Sequence, residues 1–151
     1  KSSAYSEANL KLQANKKGIN PSRLIFAEKI PLNQHLARHK CGDLFLDTFN
    51  YNAHTTASDS LWSGMPMISL KGKSFASRVG ASLLNALNMQ ELICLDKNDY
   101  YESALRIAKD PKLLENLREK LKKQILISPL FDSEKFTRDL EKIYINLARS
   151  K

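Results

Sequence analysis

Short apolar runs of strand length recur between stretches of helical spacing from residue 6 to residue 96, and this alternation narrows the fold more than any other feature of the chain. Ser6 to Lys17 places Leu10 and Ala14 on one face and meets Gly18, a helix stop, before Asn20-Pro21. Arg23 to Ala27 reads as a first strand, and Asn33 to His39 as a helix after Pro31. Asp43-Leu44-Phe45-Leu46-Asp47 is a second strand, closed by the polar loop from Thr48 to Asn52. Thr55 or Thr56 then caps a helix from Ala57 to Ser63, whose Leu61 and Trp62 face a core and which Gly64 ends. Met65 to Leu70 gives a third strand, Phe75 to Leu87 a helix carrying Val79, Leu83 and Leu87, and Leu92 to Leu95 a fourth strand.

Strands stop there. Asn98 caps a helix to Lys109, Pro111 opens one to Ile127, and Asp132-Ser133-Glu134 opens a last one to about Arg149. That helix carries Phe136, Leu140, Ile143, Tyr144 and Leu147 at helical intervals. Alternating helices and strands predict a doubly wound α/β domain with a parallel, Rossmann-like sheet, residues 1–96 forming αβ repeats and residues 97–151 C-terminal helices. Ligands of such sheets bind at the strands' carboxyl ends, which directs attention to Glu28 to Leu32, Thr48 to Thr56 and the loop after Leu70.

Composition removes several function classes. With 42% apolar and 26% charged residues the chain is expected to bury a core. No apolar run approaches the roughly 20 residues of a membrane-spanning helix, and Lys1-Ser2-Ser3 begins without Met or a signal-like stretch. The expectation is a cytoplasmic piece of something longer. Cys41 and Cys94 are expected to be two buried thiols, and the three histidines offer no zinc-like spacing, so no metal is expected. The net charge of +8 is regional: residues 1–40 hold eight Lys/Arg against two acids, residues 41–96 three against five. Because no aromatics interleave with those cations, a solvated helix face is favoured over a nucleic-acid surface.

The loop ending in His54-Thr55-Thr56 runs straight into a helix, where free amides, the helix dipole and two hydroxyls suit a phosphate. Asp59, one turn on, is placed to accept from a ribose diol. The same residues also serve as an ordinary N-cap and first turn. His35 and Arg38 share one helix face and read equally as surface cations. No glycine-rich dinucleotide fingerprint, phosphate loop or nucleophile elbow is present, which withdraws support from hydride transfer, ATP hydrolysis and serine hydrolysis.

The run Leu46-Asp47-Thr48-Phe49-Asn50-Tyr51-Asn52-Ala53-His54-Thr55-Thr56-Ala57-Ser58-Asp59-Ser60-Leu61-Trp62-Ser63-Gly64-Met65-Pro66 resembles the donor-site segment of the O-GlcNAc transferase family, especially its bacterial members. The resemblance continues through Phe75 to Ser82, Glu91-Leu92-Ile93 and Ile127 to Asp132, in order and over nearly the whole chain. It implies most of the C-terminal, nucleotide-sugar-binding domain of a GT-B glycosyltransferase. His54, Thr55 and Thr56 would hold the diphosphate and neighbouring sugar, with His54 the one assigned to catalysis. Asp59 would hold the ribose, His35 and Arg38 the uridine, and the backbone at Ile30 the uracil. The family often has Lys where this chain has Leu32; Lys29 is a candidate replacement. A run of threonines marks the variant related to plant fucosyltransferases, and Ala53-His54 stands there instead, which favours GlcNAc over fucose.

The implied reaction is inverting transfer of N-acetylglucosamine from UDP-GlcNAc to Ser/Thr of protein acceptors, with no metal or other cofactor. The implied partners are a UDP-sugar, a protein acceptor, and an N-terminal catalytic lobe and TPR repeats of a parent chain, so this piece alone is expected to be inactive. The alternatives are a related transferase using another nucleotide sugar or an Asn acceptor, and a non-enzymatic basic binding module. In a sheet ordered 3-2-1-4-5-6, Leu24 to Ala27 would be strand 3 and Leu44 to Asp47 strand 4, with strands 1 and 2 absent between them. Few or no backbone hydrogen bonds are therefore expected between residues 24–27 and 43–47, with Ile25 and Phe26 uncovered.

Overall fold

The computed structural model describes residues 3–150; Lys1 and Ser2, part of the N-terminal stretch read above, lie outside them, as does Lys151. The chain divides into two compact units, Lys1–His35 and Leu36–Lys151.

In the first unit, helix α1 (Ala4–Lys16) starts at Ser3, whose hydroxyl accepts from the Ser6 amide at 3.2 Å. It ends as its sequence dictates: Gly18 takes φ +74° and the Ile19 amide returns to the Ala14 carbonyl at 2.9 Å. Asn20 caps a single 3-10 turn, Pro21–Arg23. The strand expected over Arg23 to Ala27 does not form: Ile25 is 89% exposed, and Phe26 is half-buried with the Lys11 ammonium 5.7 Å from its ring centroid. A short apolar run becomes a strand only where a neighbour takes up its backbone hydrogen bonds, and neither sheet ladder of the described residues includes residues 24–27. The strand numbering that made Leu24 to Ala27 strand 3 therefore does not apply. The division between the units falls within α2 (Leu32–His39).

The second unit carries the sheet. Strands β1 (Phe45–Leu46), β2 (Met67–Leu70) and β3 (Ile93–Cys94) pair in parallel in the order β1-β2-β3, with Phe45 beside Met67 and Ser69 beside Ile93. Between them lie α3 (Thr55–Trp62) and α4 (Val79–Ala86); after them come α5 (Lys97–Lys109), α6 (Pro111–Ile127) and α7 (Ser133–Arg149). Central β2 is buried at Met67, Ile68 and Ser69, which is why its sequence is nearly continuous in apolar residues rather than alternating. Leu61 of α3, Leu84 of α4, Ile107 of α5 and Leu121 of α6 close the core around it, each contributing roughly 1.5–3 kcal/mol by leaving water.

Several local expectations are corrected. The helix expected from Phe75 begins at Val79. Before it, the Ser77 amide donates to Ser74 Oγ at 3.3 Å and the Ser77 hydroxyl to the Ser74 carbonyl at 3.1 Å, holding a turn that competes with helix. Asp96, not Asn98, caps α5, its carboxylate accepting from the Asn98 and Asp99 amides at 2.8 and 2.9 Å. Of the two thiols only Cys94 is buried, and burial pushes its pKa up. Cys41 is exposed because it follows α2 in a turn, its amide on the Arg38 carbonyl, rather than entering β1. Trp62 is exposed over half its surface; its ring meets Phe131 edge-on at 5.0 Å at the rim of the core. Helix α7 buries no residue among those described, and Phe136, Ile143, Tyr144 and Leu147 face solvent.

Candidate functional site

At the carboxyl end of β1 the chain turns through Asp47 to Ala53 and enters α3. Asp47 is 3% exposed and fully engaged. Its Oδ1 accepts from the Thr48 amide at 2.8 Å and the Ala53 amide at 2.7 Å, and its Oδ2 from the Ser69 hydroxyl on β2 at 2.5 Å. Asn52, equally buried, holds the other side of the loop: its side-chain nitrogen donates to the Thr48 carbonyl at 3.0 Å, while its oxygen accepts from the Gly80 amide of α4 at 3.2 Å. The Asn52 amide reaches the Ala76 carbonyl at 2.8 Å. Gly80 has no side chain for a reason of space, since a β-carbon there would lie 2.5 Å from Asp47 Oδ2.

This loop delivers His54 to the start of α3. His54, rather than Thr55 or Thr56, is the N-cap, with φ −102° and ψ −90° and no side-chain capping bond. Thr55 and Thr56 are therefore the first two helical residues, both exposed. The amides of the exposed Thr55 and Thr56 have no acceptor among the described residues, so the positive end of the helix presents two unbonded amides with two hydroxyls beside them, while Ala57 behind them is buried in the core. Asp59 lies one turn further along the same helix, half-buried.

The His54 ring is held by aromatic neighbours instead of hydrogen bonds. Tyr51 stacks on it at 4.9 Å between centroids and 13° between planes, and Phe75 meets it edge-on at 6.1 Å. Its Nε2 is the one buried side-chain nitrogen or oxygen among the described residues with no hydrogen-bond partner. Such an atom costs free energy until something bonds to it.

Of the other candidates, Arg38 is in α2 within the second unit, and His35 is one turn earlier on that helix within the first; Ile30 and Leu32 also belong to the first unit. The structure thus places His54, Thr55 and Thr56 at the start of α3 and Asp59 in its second turn. Sequence reasoning passed over Asp47, Asn52, Ser69, Phe75 and Tyr100. The Tyr100 hydroxyl donates to the Asp47 carbonyl at 2.8 Å, and burial, then the Asp47 charge and then Cys94 push its pKa up to about 12. This loop and the ends of β2 and β3 border an open cleft of about 550 Å³ lined in part by Asn50, Lys71, Lys73, Ser74 and Lys97. No three His, Cys, Asp or Glu side chains gather as a metal site among the described residues. No helix there is long and apolar enough to cross a membrane.

A parallel sheet whose strand ends meet an open helix N-terminus places the chain among the Rossmann-like α/β proteins. The sequence model of Glycosyl transferase family 41 matches residues 1–140, and the chain belongs to that family. It is 38% identical over 133 residues to the Solanum lycopersicum protein named "Probable UDP-N-acetylglucosamine--peptide N-acetylglucosaminyltransferase SPINDLY", covering 87% of this chain and 14% of that one. It is 35% identical over 135 residues to the UDP-N-acetylglucosamine--peptide N-acetylglucosaminyltransferase of Caenorhabditis elegans, covering 89% of this chain and 12% of the relative. Its backbone superposes on a solved structure of a Thermobaculum terrenum O-GlcNAc transferase mutant with a TM-score of 0.90 at 30% identity, over 98% of this chain and 28% of that one. The fold is that of part of a GT-B catalytic region. The chain spans about an eighth of the length of these curated relatives, 12% to 14%.

Proposed function

We propose that this domain holds the donor of a family 41 glycosyltransferase and that the reaction it serves is inverting transfer of N-acetylglucosamine from UDP-GlcNAc to Ser/Thr of a protein acceptor. The names of the relatives support the donor and the acceptor class. What carries the reading on this chain's own residues is the junction of β1 and α3, where the amides of the exposed Thr55 and Thr56, without an acceptor among the described residues, follow His54, whose buried Nε2 has no hydrogen-bond partner among them.

The chemistry follows from what that junction offers. When a nucleoside diphosphate leaves, negative charge grows on its phosphate oxygens, and prearranged amides, hydroxyls and the helix dipole stabilise it without reorganising. Thr55 and Thr56 are assigned to the diphosphate and Asp59 to the ribose hydroxyls. His35, Arg38 and the Ile30 backbone are assigned to the uridine. His54 is assigned to the transferred sugar, because its ring is fixed by Tyr51 and Phe75 while its buried Nε2 has no hydrogen-bond partner among the described residues.

The test is kinetic and uses the full-length protein with UDP-GlcNAc and a Ser/Thr peptide. His54→Ala is expected to lower turnover by more than it lowers UDP affinity, because its contact is to the sugar. Equal losses in both would make His54 a nucleotide-holding residue only, and transfer with wild-type kinetics would remove it from the site.

A further inference from the structure

We infer that Asp47 is a positioning residue for His54: it sets where the histidine ring and the α3 N-terminus stand relative to the sheet, an inference that rests on the donor-site reading above. The carboxylate closes the loop by its two ends. One oxygen accepts from the amide that enters the loop, Thr48, and from the amide that leaves it, Ala53, the residue bonded to His54. The other oxygen is fixed to β2 through the Ser69 hydroxyl, and the Asp47 carbonyl is fixed to α5 through the Tyr100 hydroxyl. The loop is therefore registered against two neighbouring elements at the point where it ends in His54.

The same tether reaches the far wall of the histidine. Asn52 bridges the loop to the Gly80 amide and the Ala76 carbonyl, and Ala76 follows Phe75, whose ring edge contacts His54. Tyr51, the stacking face, lies inside the loop, with its carbonyl accepting from the Thr48 hydroxyl at 2.7 Å. Both aromatic walls of His54 thus hang on residues that Asp47 and Asn52 fix. A carboxylate buried with three hydroxyl and amide donors and no cation among the described residues is a costly group to keep for packing alone. Its value lies in accepting several bonds at once and so leaving the loop one geometry.

The experiment combines kinetics with histidine-selective nitrogen-15 NMR on the full-length protein, His54→Ala assigning the ring signal. Asp47→Ala is expected to move or broaden the His54 ring signal and to lower kcat about tenfold or more with little change in KM for UDP-GlcNAc, as displacement of a reacting-site group does. Asp47→Asn keeps an oxygen for the Thr48 and Ala53 amides and is expected to restore kcat to within about threefold of wild type. Ser69→Ala, which frees one oxygen but leaves the loop closed, supplies a milder variant should Asp47→Ala fail to fold, and is expected to shift the same signal. A His54 signal unmoved in each folded variant overturns the inference, even if all melt at lower temperature. Failure of wild-type protein to bind UDP would remove the donor-site reading instead, while the His54 signal would still decide the tether.

Discussion

Ser60 and Ser69 are both fully buried serines of the second unit, so replacing either by alanine removes one hydroxyl and the same volume. They differ in what the hydroxyl meets. Ser69 donates to Asp47 Oδ2 at 2.5 Å, whereas Ser60 donates to the Met65 carbonyl at 3.4 Å. Ser69→Ala leaves a desolvated carboxylate oxygen without its donor, at a cost of about 2–3 kcal/mol; Ser60→Ala loses a long, neutral bond worth about 0.5 kcal/mol. For 151 residues the unfolding entropy is about 0.3 kcal/mol per degree. The expected fall in Tm is then roughly 6–10 °C for Ser69→Ala and about 2 °C for Ser60→Ala. Thermal unfolding followed by circular dichroism at near-neutral pH reads both. Equal shifts, or a larger one for Ser60→Ala, would refute the claim that the Asp47 carboxylate depends on Ser69.

Two further outcomes are expected from the same core. Leu121→Ala, at a fully buried position of α6, should cost about 2–5 kcal/mol in urea unfolding, while Leu126→Ala on the same helix, 82% exposed, should stay within about 0.5 kcal/mol; similar values would dismiss the packing described for α6. Tyr100 should ionise near pH 12, read as the part of the tyrosinate absorbance that Tyr100→Phe removes. Because the raised folded pKa favours the neutral phenol, its contribution to stability is fully present below the unfolded value of about 10 and is lost as pH climbs to about 12. Tyr100→Phe should remove that loss, and a Tyr100 absorbance change complete near pH 10 would contradict it.

What the sequence disclosed and what it hid divide along the range of the interactions. Helix ends at Gly18 and Gly64 were legible because a positive φ is a property of one residue, and both adopt it. Pro111 at the first turn of α6 and Asp132 before α7 were legible for the same reason. The run Arg23 to Ala27 misled, because five apolar-rich residues carry no statement of whether a partner strand will be beside them. Phe75 to Arg78 misled because Ser74 and Ser77 bond locally and hold off the helix. At the candidate site, the loop-to-helix pattern pointed to Thr55, Thr56 and Asp59 and the family resemblance added His54, but the pattern assigned the cap to the wrong residue. The tether through Asp47, Ser69, Asn52 and Gly80 was not legible, since its hydrogen bonds join residues 22 and 28 positions apart. Only folding makes such neighbours.

The central claim, a nucleotide diphosphate held at the start of α3 with its ribose on Asp59, is tested most directly by calorimetric titration of UDP into the full-length protein and its Asp59→Ala variant. Saturable binding is expected for the wild type. The substitution is expected to weaken it by about 1.5–3 kcal/mol, roughly 10- to 140-fold in Kd, the cost of a hydrogen bond to a charged group. An affinity unchanged by Asp59→Ala would contradict the ribose assignment, and a wild-type protein that takes up no UDP would contradict the site itself.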